Sequence, residues 1–179
     1  MKLKLLVAAL IAAVSTSAHA ATLDFTSLGS GPIGSTTASV AGADITSYGT
    51  DLYVGAGPFT NSICAISGTC DNDLLIEFTS AVTNLTFGHG YWSVGDFIEI
   101  SIYGIGNALL GTYDINSVAS VDLSSFGAIT SLFFDDSSTA AGVAYGDFRF
   151  DVAQVPLPAT LPLLLAGLGA FGVARRRKA

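Results

Sequence analysis

Hydrophobic and polar residues alternate along most of the chain between residues 21 and 154. Short runs rich in Ile, Val, Phe, Tyr and Thr are separated by Gly, Asp, Asn and Ser, which is typical of strands joined by turns. We find no stretch in this region with the 3.6-residue period of an amphipathic helix. The alternation predicts ten strands: Thr22–Thr26, Ala43–Tyr48, Asp51–Val54, Asp73–Thr79, Val82–Phe87, Asp96–Tyr103, Ala108–Ile115, Val118–Leu123, Ala128–Phe134 and Gly142–Val152.

The spacing of these strands indicates the fold class. In the strand at Asp73–Thr79, for example, Leu74, Ile76 and Phe78 share one face. Half-buried strands every 8–12 residues, linked by Gly-rich turns, favour an all-β antiparallel β-sandwich of jelly-roll or Greek-key type. Residues 27–60 are rich in Gly, Ser and Thr, and we expect long loops there.

The amino-terminal end has the features of a secretory signal peptide. Lys2 and Lys4 precede a short apolar run, Leu5–Val14, and small residues follow it. The apolar run is too short to span a bilayer in its own right. We therefore expect signal peptidase to cut between Ala20 and Ala21.

The carboxyl-terminal end has three parts in a fixed order. A helix over residues 157–174 would contain 18 residues and be roughly 27 Å long, just enough to cross a hydrocarbon core. A basic cluster follows it and should stay on the cytoplasmic side. Pro156 and Pro158, in a short motif, should keep the residues before them extended and exposed on the outer side of the membrane. The motif is Val155, Pro156, Leu157, Pro158 and Ala159, and the cluster is Arg175, Arg176, Arg177 and Lys178.

This order of motif, apolar run and Arg-rich end resembles the VPLPA variant of the PEP-CTERM sorting signal. The resemblance implies an exported protein, anchored as a precursor in the inner membrane of a Gram-negative bacterium. An exosortase-like membrane protease would cut it near the motif and send it to the cell surface or to the extracellular biofilm matrix. A plain membrane anchor is the alternative interpretation. The resemblance covers about 25 of 179 residues, so it addresses the destination of the protein and not the activity of its domain.

These signals divide the chain into five predicted segments. A signal peptide at 1–20 precedes an exported β-sandwich domain at 21–152. A linker with the sorting motif follows at 153–160, then a transmembrane helix core at 161–174 and a basic cytoplasmic tail at 175–179.

The charge of the exported segment excludes one class of partner. Its 14 acidic residues face a single basic one, Arg149, which gives a formal charge of −13. Such a surface repels phosphate backbones, so we expect no nucleic-acid binding. Carboxylates in turns suit calcium, and two acidic turns make Ca²⁺ one hypothesis; an acidic, salt-tolerant surface without a specific ligand is the other. The candidate calcium residues are Asp71, Asp73, Asp135 and Asp136.

The two cysteines, Cys64 and Cys70, are six residues apart. In an exported protein such a pair predicts a disulfide. A redox-active dithiol is the alternative, although the spacing is not that of Cys-x-x-Cys. A zinc site would need further ligands.

Candidate chemistry is sparse. Tyr91 and Trp92 form an aromatic loop that could stack on a sugar, or Trp92 could cap the core. No nucleophile elbow or phosphate loop is present. We therefore predict a non-enzymatic surface or matrix protein that associates with polysaccharide. A secreted glycan hydrolase using Glu77 or Glu99, the only glutamates, and a purely structural matrix component are the alternatives.

Overall fold

Twelve β-strands build the part of the chain that the computed structural model describes, residues 19–57, 59–90, 96–115, 120–138 and 142–153. Within these residues there is no α-helix, and 3₁₀ turns occur at Phe25–Leu28, Ile105–Asn107 and Ser124–Phe126. The strands are β1 (Ala20–Thr22), β2 (Gly31–Pro32), β3 (Thr37–Val40), β4 (Ala43–Ser47), β5 (Asp51–Val54), β6 (Ser62–Ile66), β7 (Leu74–Gly90), β8 (Ile98–Gly104), β9 (Ala108–Ile115), β10 (Ser120–Asp122), β11 (Ile129–Asp136) and β12 (Ala144–Val152).

The strand β7 connects the whole sheet. Its first half pairs with β4 and β11, and its second half pairs with β12 and β10. The hydrogen-bonded order is β2-β5-β6-β12-β7-β11-β8-β9, and every pairing between these strands is antiparallel. The all-β antiparallel prediction is therefore confirmed. The twelve strands form one connected sheet, and the finer jelly-roll or Greek-key sandwich stays a prediction.

Aromatic side chains occupy the centre of the core. Phe87 of β7 stacks on Phe148 of β12 with ring centroids 4.9 Å apart. Phe25 meets the other side of Phe148 edge-on at 5.8 Å, and Phe134 lies 5.7 Å from Phe87. All four of these rings are at most 1 % exposed. Burying rings of this size supplies much of the apolar stabilisation of a small domain.

Most predicted strands are present, and β9 has the predicted bounds. The strands predicted at Asp73–Thr79 and Val82–Phe87 are one continuous strand, although its pairing with β11 is interrupted by a register shift between Glu77 and Val82. The strand predicted at Thr22–Thr26 ends at Thr22. There the Asp24 carboxylate accepts a 3.0 Å hydrogen bond from the backbone N–H of Thr26 and caps a 3₁₀ turn.

Two expectations about the first half of the domain were wrong or incomplete. Residues 27–60 do not form long loops throughout, since β2 and β3 lie there beside the predicted β4 and β5. The strand β6, which holds Cys64, was not predicted at all. It pairs with β5 and β12, and these partners stabilise it. Its first four residues are all buried, so its sequence does not alternate between apolar and polar positions.

The predicted signal-peptidase bond lies inside the described structure. Ala20 pairs with Asp151 and Ala21 with Phe150, so β1 lies along β12. The cut between Ala20 and Ala21 stays a prediction, and it would leave two residues of β1 in the mature protein. The other predicted segments before residue 19 and after residue 153 lie outside the described residues. One compact unit, Ala18–Ala153, contains everything that is described.

The disulfide is confirmed: the Sγ atoms of Cys64 and Cys70 are 2.03 Å apart. Beside it the backbone of Cys70 forms a bridge with Gly142. Gly142 has a φ of +72° and lies so close to Cys70 that a Cβ there would collide with the Cys70 carbonyl. A residue without a side chain is therefore required at this position.

We predict that Gly142→Ala lowers the free energy of unfolding by about 2–5 kcal/mol, because left-handed strain and a backbone clash add together. The matched control is Gly106→Ala. Gly106 has the same φ of +72° but open space around it, so we expect a loss of only about 1 kcal/mol from strain. Urea unfolding of both variants measures the difference, and equal losses would contradict the close approach of Cys70.

Candidate functional site

Three adjacent strands, β10, β7 and β12, carry the candidate site on their outer face. Thr86 in β7 is paired with Asp122 of β10 on one side and with Arg149 of β12 on the other. Directly paired residues project from the same face of a sheet. A carboxylate, a hydroxyl and a guanidinium therefore stand side by side.

The neighbouring row of the same strands has almost no side chains. Gly88 of β7 pairs with Ser120 of β10 and with Gly146 of β12. Two of the three positions in this row are glycines, and both are covered: the Phe59 ring lies against Gly88, and the backbone of Asn61 and Ser62 lies against Gly146. The Phe59 ring and the charged row line a depression in the sheet surface.

A β-bulge in β12 shapes one side of this depression. Between Gly146 and Arg149 the strand advances three residues while β7 advances two, from Gly88 to Thr86. The extra residue adds a left-handed conformation at Asp147, whose φ is +53°. Bulges of this kind bend a strand and change where its side chains point. Here Asp147 and Arg149 both line the same cleft.

Phe59 forms one wall of this depression and lies against Gly88. The tip of its ring faces Gly88, since a Cβ at Gly88 would lie 3.0 Å from Cζ of the ring. The segment that carries Phe59 is fixed by the buried Ser62, whose hydroxyl donates a 3.0 Å hydrogen bond to the Phe59 carbonyl. The side chain of Asn61 fixes the same segment by bonding the backbone of Leu23 and Phe25, each at 2.8 Å.

The resulting cleft has a volume of about 590 Å³, within the range of roughly 300–1,000 Å³ that small-molecule sites span. Hydrogen bonds from Ser124 lower the pKa of the Asp122 carboxyl below its usual value, because they stabilise the charged form. Burial lowers the pKa of His89, which also lines the cleft. At neutral pH the Asp122 carboxylate is therefore ionised and the His89 imidazole is neutral.

Arg149 carries the one positive side chain of residues 21–154. Among the described residues no carboxylate oxygen lies within 4.0 Å of its guanidinium. The carboxylate of Asp151, two residues along the strand, instead accepts a 2.8 Å hydrogen bond from Asn84. The sequence analysis counted Arg149 only as the single basic residue of the exported segment and did not place it in a site. Strand pairing places Arg149 in the site: Arg149 pairs with Thr86 of β7, and Thr86 pairs with Asp122 of β10 on its other side. Local sequence patterns do not reveal these partners.

The predicted sugar-stacking pair, Tyr91 and Trp92, lies outside the described residues. The strand β7 ends at Gly90, immediately before it. The sorting motif Val155–Ala159 and the basic cluster Arg175–Lys178 also lie outside the described residues. For all of these residues the structure adds nothing to the sequence-based predictions.

The four aspartates of the calcium hypothesis do not form one group. Asp73 accepts a 3.0 Å hydrogen bond from the backbone N–H of Asp136, whereas Asp71 accepts one from Asn72 and Asp135 is exposed on β11. Within the residues that the structure describes, no three His, Cys, Asp or Glu side chains are arranged to hold a metal ion. Calcium binding stays a hypothesis.

Two of these aspartates, Asp73 and Asp136, interact with a buried acid and a buried phenol that the sequence analysis did not identify, Asp96 and Tyr145. Asp96 is 5 % exposed, Asp136 is 9 % exposed and Tyr145 is 1 % exposed. Burial raises the pKa of Asp136, and the charge of Asp96 raises it further against the hydrogen bonds of Ser138. Burial also raises the pKa of Tyr145, and the carboxylates of Asp136, Asp73 and Asp96 add to this effect. The phenol therefore stays neutral and faces these acids.

The comparisons with known proteins address the carboxyl end. Residues 154–178 match the family described as the PEP-CTERM protein-sorting motif. The chain carries a PEP-CTERM sorting motif. Comparison with curated proteins and with solved structures gave no match.

A PEP-CTERM motif marks an exported protein, anchored in the membrane as a precursor in Gram-negative bacteria and processed by an exosortase. In the part of the chain that the structure describes, which excludes this motif, no helix is both long and apolar enough to cross a bilayer. The described residues end at Ala153, directly before the first matched residue.

We predict that Asp136→Asn raises the melting temperature at pH 7 by a few degrees, about 3–5 °C. The raised pKa means that the folded state favours the protonated acid. The ionised carboxylate therefore costs stability above its folded pKa, and that cost disappears as the pH falls to the ordinary value of 3.8. The gain should accordingly shrink between pH 7 and pH 4.

Thermal melts at several pH values measure this effect. Asp114→Asn is the control, because Asp114 is exposed on β9 and the change removes the same charge. A gain at Asp136 that is independent of pH, or equal to that at Asp114, would contradict the role of burial.

Proposed function

We propose that this protein is a non-enzymatic component of the cell surface or extracellular matrix whose all-β domain associates with polysaccharide. The match of residues 154–178 to the PEP-CTERM motif carries the proposal. The finer assignments to the VPLPA variant and to the matrix belong to this proposal too. The signal peptidase and an exosortase-like protease would be its processing partners.

The position of the motif supports proteolytic sorting. The last described backbone hydrogen bond joins the N–H of Ala153 to the carbonyl of Ala81 at 2.7 Å. The matched motif begins one residue later, at residue 154. A protease needs an extended peptide, and Pro156 and Pro158 favour extended backbone before them.

The positions of the two glutamates argue against the hydrolase alternative. Glu77 is paired with Ser131 of β11, and Glu99 is paired with Asp135 of the same strand. Four residues along a strand correspond to about 13 Å. Two-carboxylate glycosidases hold their acids roughly 5–9.5 Å apart. The glutamates are thus too far apart to act together on one glycosidic bond.

The purely structural alternative has its own support. The exported segment contains no lysine and has a formal charge of −13, which keeps a protein soluble through self-repulsion without any specific ligand. The cleft at Phe59, Asp122 and Arg149 favours the polysaccharide-binding proposal over this alternative, because it places an aromatic ring beside a guanidinium that no carboxylate of the described residues pairs with.

We predict that the mature protein lacks Arg175–Lys178 in a Gram-negative host with an intact exosortase, and retains them when the exosortase gene is deleted. Intact mass spectrometry of the purified protein from both strains measures the difference. The mass would also report cleavage after Ala20 and the Cys64–Cys70 disulfide.

A second variant tests the motif within the same chain. Replacing Pro156 and Pro158 by Ala should slow processing, because the residues before them would no longer be held extended, while Pro32→Ala, on the edge strand β2, should leave it unchanged. Mature protein that keeps its terminal arginines in the intact host would overturn the proposed sorting.

A further inference from the structure

The position of Arg149 is the observation that the proposed function leaves unexplained. The side chain is exposed, and no described carboxylate pairs with it. In a domain with 14 acidic residues, a single arginine would be expected to find an acidic partner. Instead it lines a cleft together with Thr86 and the bulge residue Asp147.

The polar groups of the cleft set the class of ligand. The guanidinium offers only hydrogen-bond donors, whereas the carboxylates of Asp122 and Asp147 offer only acceptors. Asp122 uses one oxygen to accept the N–H of Ser124 at 2.9 Å. No described donor bonds the Asp147 carboxylate. A ligand that satisfies both kinds of group must itself donate and accept, which hydroxyl groups do.

The charge of the cleft disfavours anionic ligands. Two carboxylates and one guanidinium leave it with a net charge of about −1 at neutral pH, because its histidine is neutral. A uronate or a phosphate would meet one cation and two anions. A neutral polyol meets no such repulsion.

The aromatic wall of the cleft favours a ring over a linear polyol. The half-buried Phe59 ring rests with its tip against Gly88 and lines the cleft together with the charged row. The C–H face of a pyranose can pack against an aromatic ring while its hydroxyls reach the charged row. The cleft is open on its outer side, so a unit within a chain can enter as well as a chain end.

We propose that this cleft binds a neutral hexopyranose unit of a polysaccharide. Phe59 packs on the sugar ring, Arg149 donates to its hydroxyl oxygens, and Asp122 and Asp147 accept from its hydroxyls. The proposal rests on the proposed association with polysaccharide and names the residues and the class of sugar. It does not involve Tyr91 or Trp92, the pair that the sequence suggested.

The test uses the full chain, purified in a detergent without a sugar headgroup. The probes are neutral hexose oligosaccharides, namely cellohexaose, maltohexaose, mannohexaose and galactohexaose, together with polygalacturonate as the anionic comparison. Isothermal titration calorimetry measures binding by the wild type and by Arg149→Gln, Asp147→Asn and Phe59→Leu. Asn tolerates the left-handed conformation of residue 147, so that variant should keep its fold.

We expect at least one neutral oligosaccharide to bind, no binding of polygalacturonate, and a loss of about tenfold or more in affinity for each cleft variant. Asp114→Asn is the matched control for Asp147→Asn, since it removes one charge from an exposed residue on β9, outside the cleft. Its affinity should equal that of the wild type. Thermal melts of every variant show that each is folded.

The outcomes separate this inference from the proposed function. Binding of a neutral oligosaccharide that all cleft variants retain would overturn the cleft while leaving polysaccharide association intact. Preference for polygalacturonate would overturn the neutral class of sugar. No binding of any glycan by the folded wild type would overturn both the cleft proposal and the proposed association with polysaccharide. The proposed sorting is tested separately, by the exosortase-dependent loss of Arg175–Lys178.

Discussion

The pairing of β7 with β12 is the interaction on which the rest of the structure depends. On its inner side Phe87 stacks on Phe148 at 4.9 Å, and on its outer side Thr86 and Arg149 stand together in the cleft. The bulge at Asp147 makes both possible, because the residue that follows it, Phe148, still faces the core. A substitution that removed the bulge would move each later side chain of β12 to the opposite face, so core and cleft would be lost together.

The fold was more predictable than the cleft, for a physical reason. The alternation of Leu74, Ile76 and Phe78 is a local pattern, and burial on one face enforces it. Strands such as β6 lack that pattern because both faces are covered: Ser62, Ile63, Cys64 and Ala65 are all buried. The strands β2 and β3 are only two and four residues long, and pairing with β5 and β4 stabilises them. Sequence reasoning from local periodicity has no access to these partners.

The cleft depends entirely on such long-range pairing. Phe59, Asp122 and Arg149 come from three separate parts of the chain and meet only because β10 and β12 both pair with the second half of β7. The acidic group around Tyr145 has the same origin. Asp73 and Asp136 were suspected from their turns, but Asp96 and Tyr145 join them only in the folded sheet. Tyr145 also packs on Phe134 at 4.2 Å, so the aromatic core ends at these buried acids.

The attachment of the last strand bears on how the domain tolerates processing at both ends. The N–H of Val152 donates to the carbonyl of His19 at 3.3 Å, while the next N–H, of Ala153, donates to Ala81 at 2.7 Å. Cleavage at the predicted bond after Ala20 removes His19 and its hydrogen bond. The hydrogen bond from Ala153 to Ala81 remains, because both residues stay in the chain after the signal peptide is removed. The end of β12 is therefore still bound to the central strand β7 after the signal peptide has been removed. Removal of the signal peptide thus leaves β12 in place before the carboxyl-terminal cut is made.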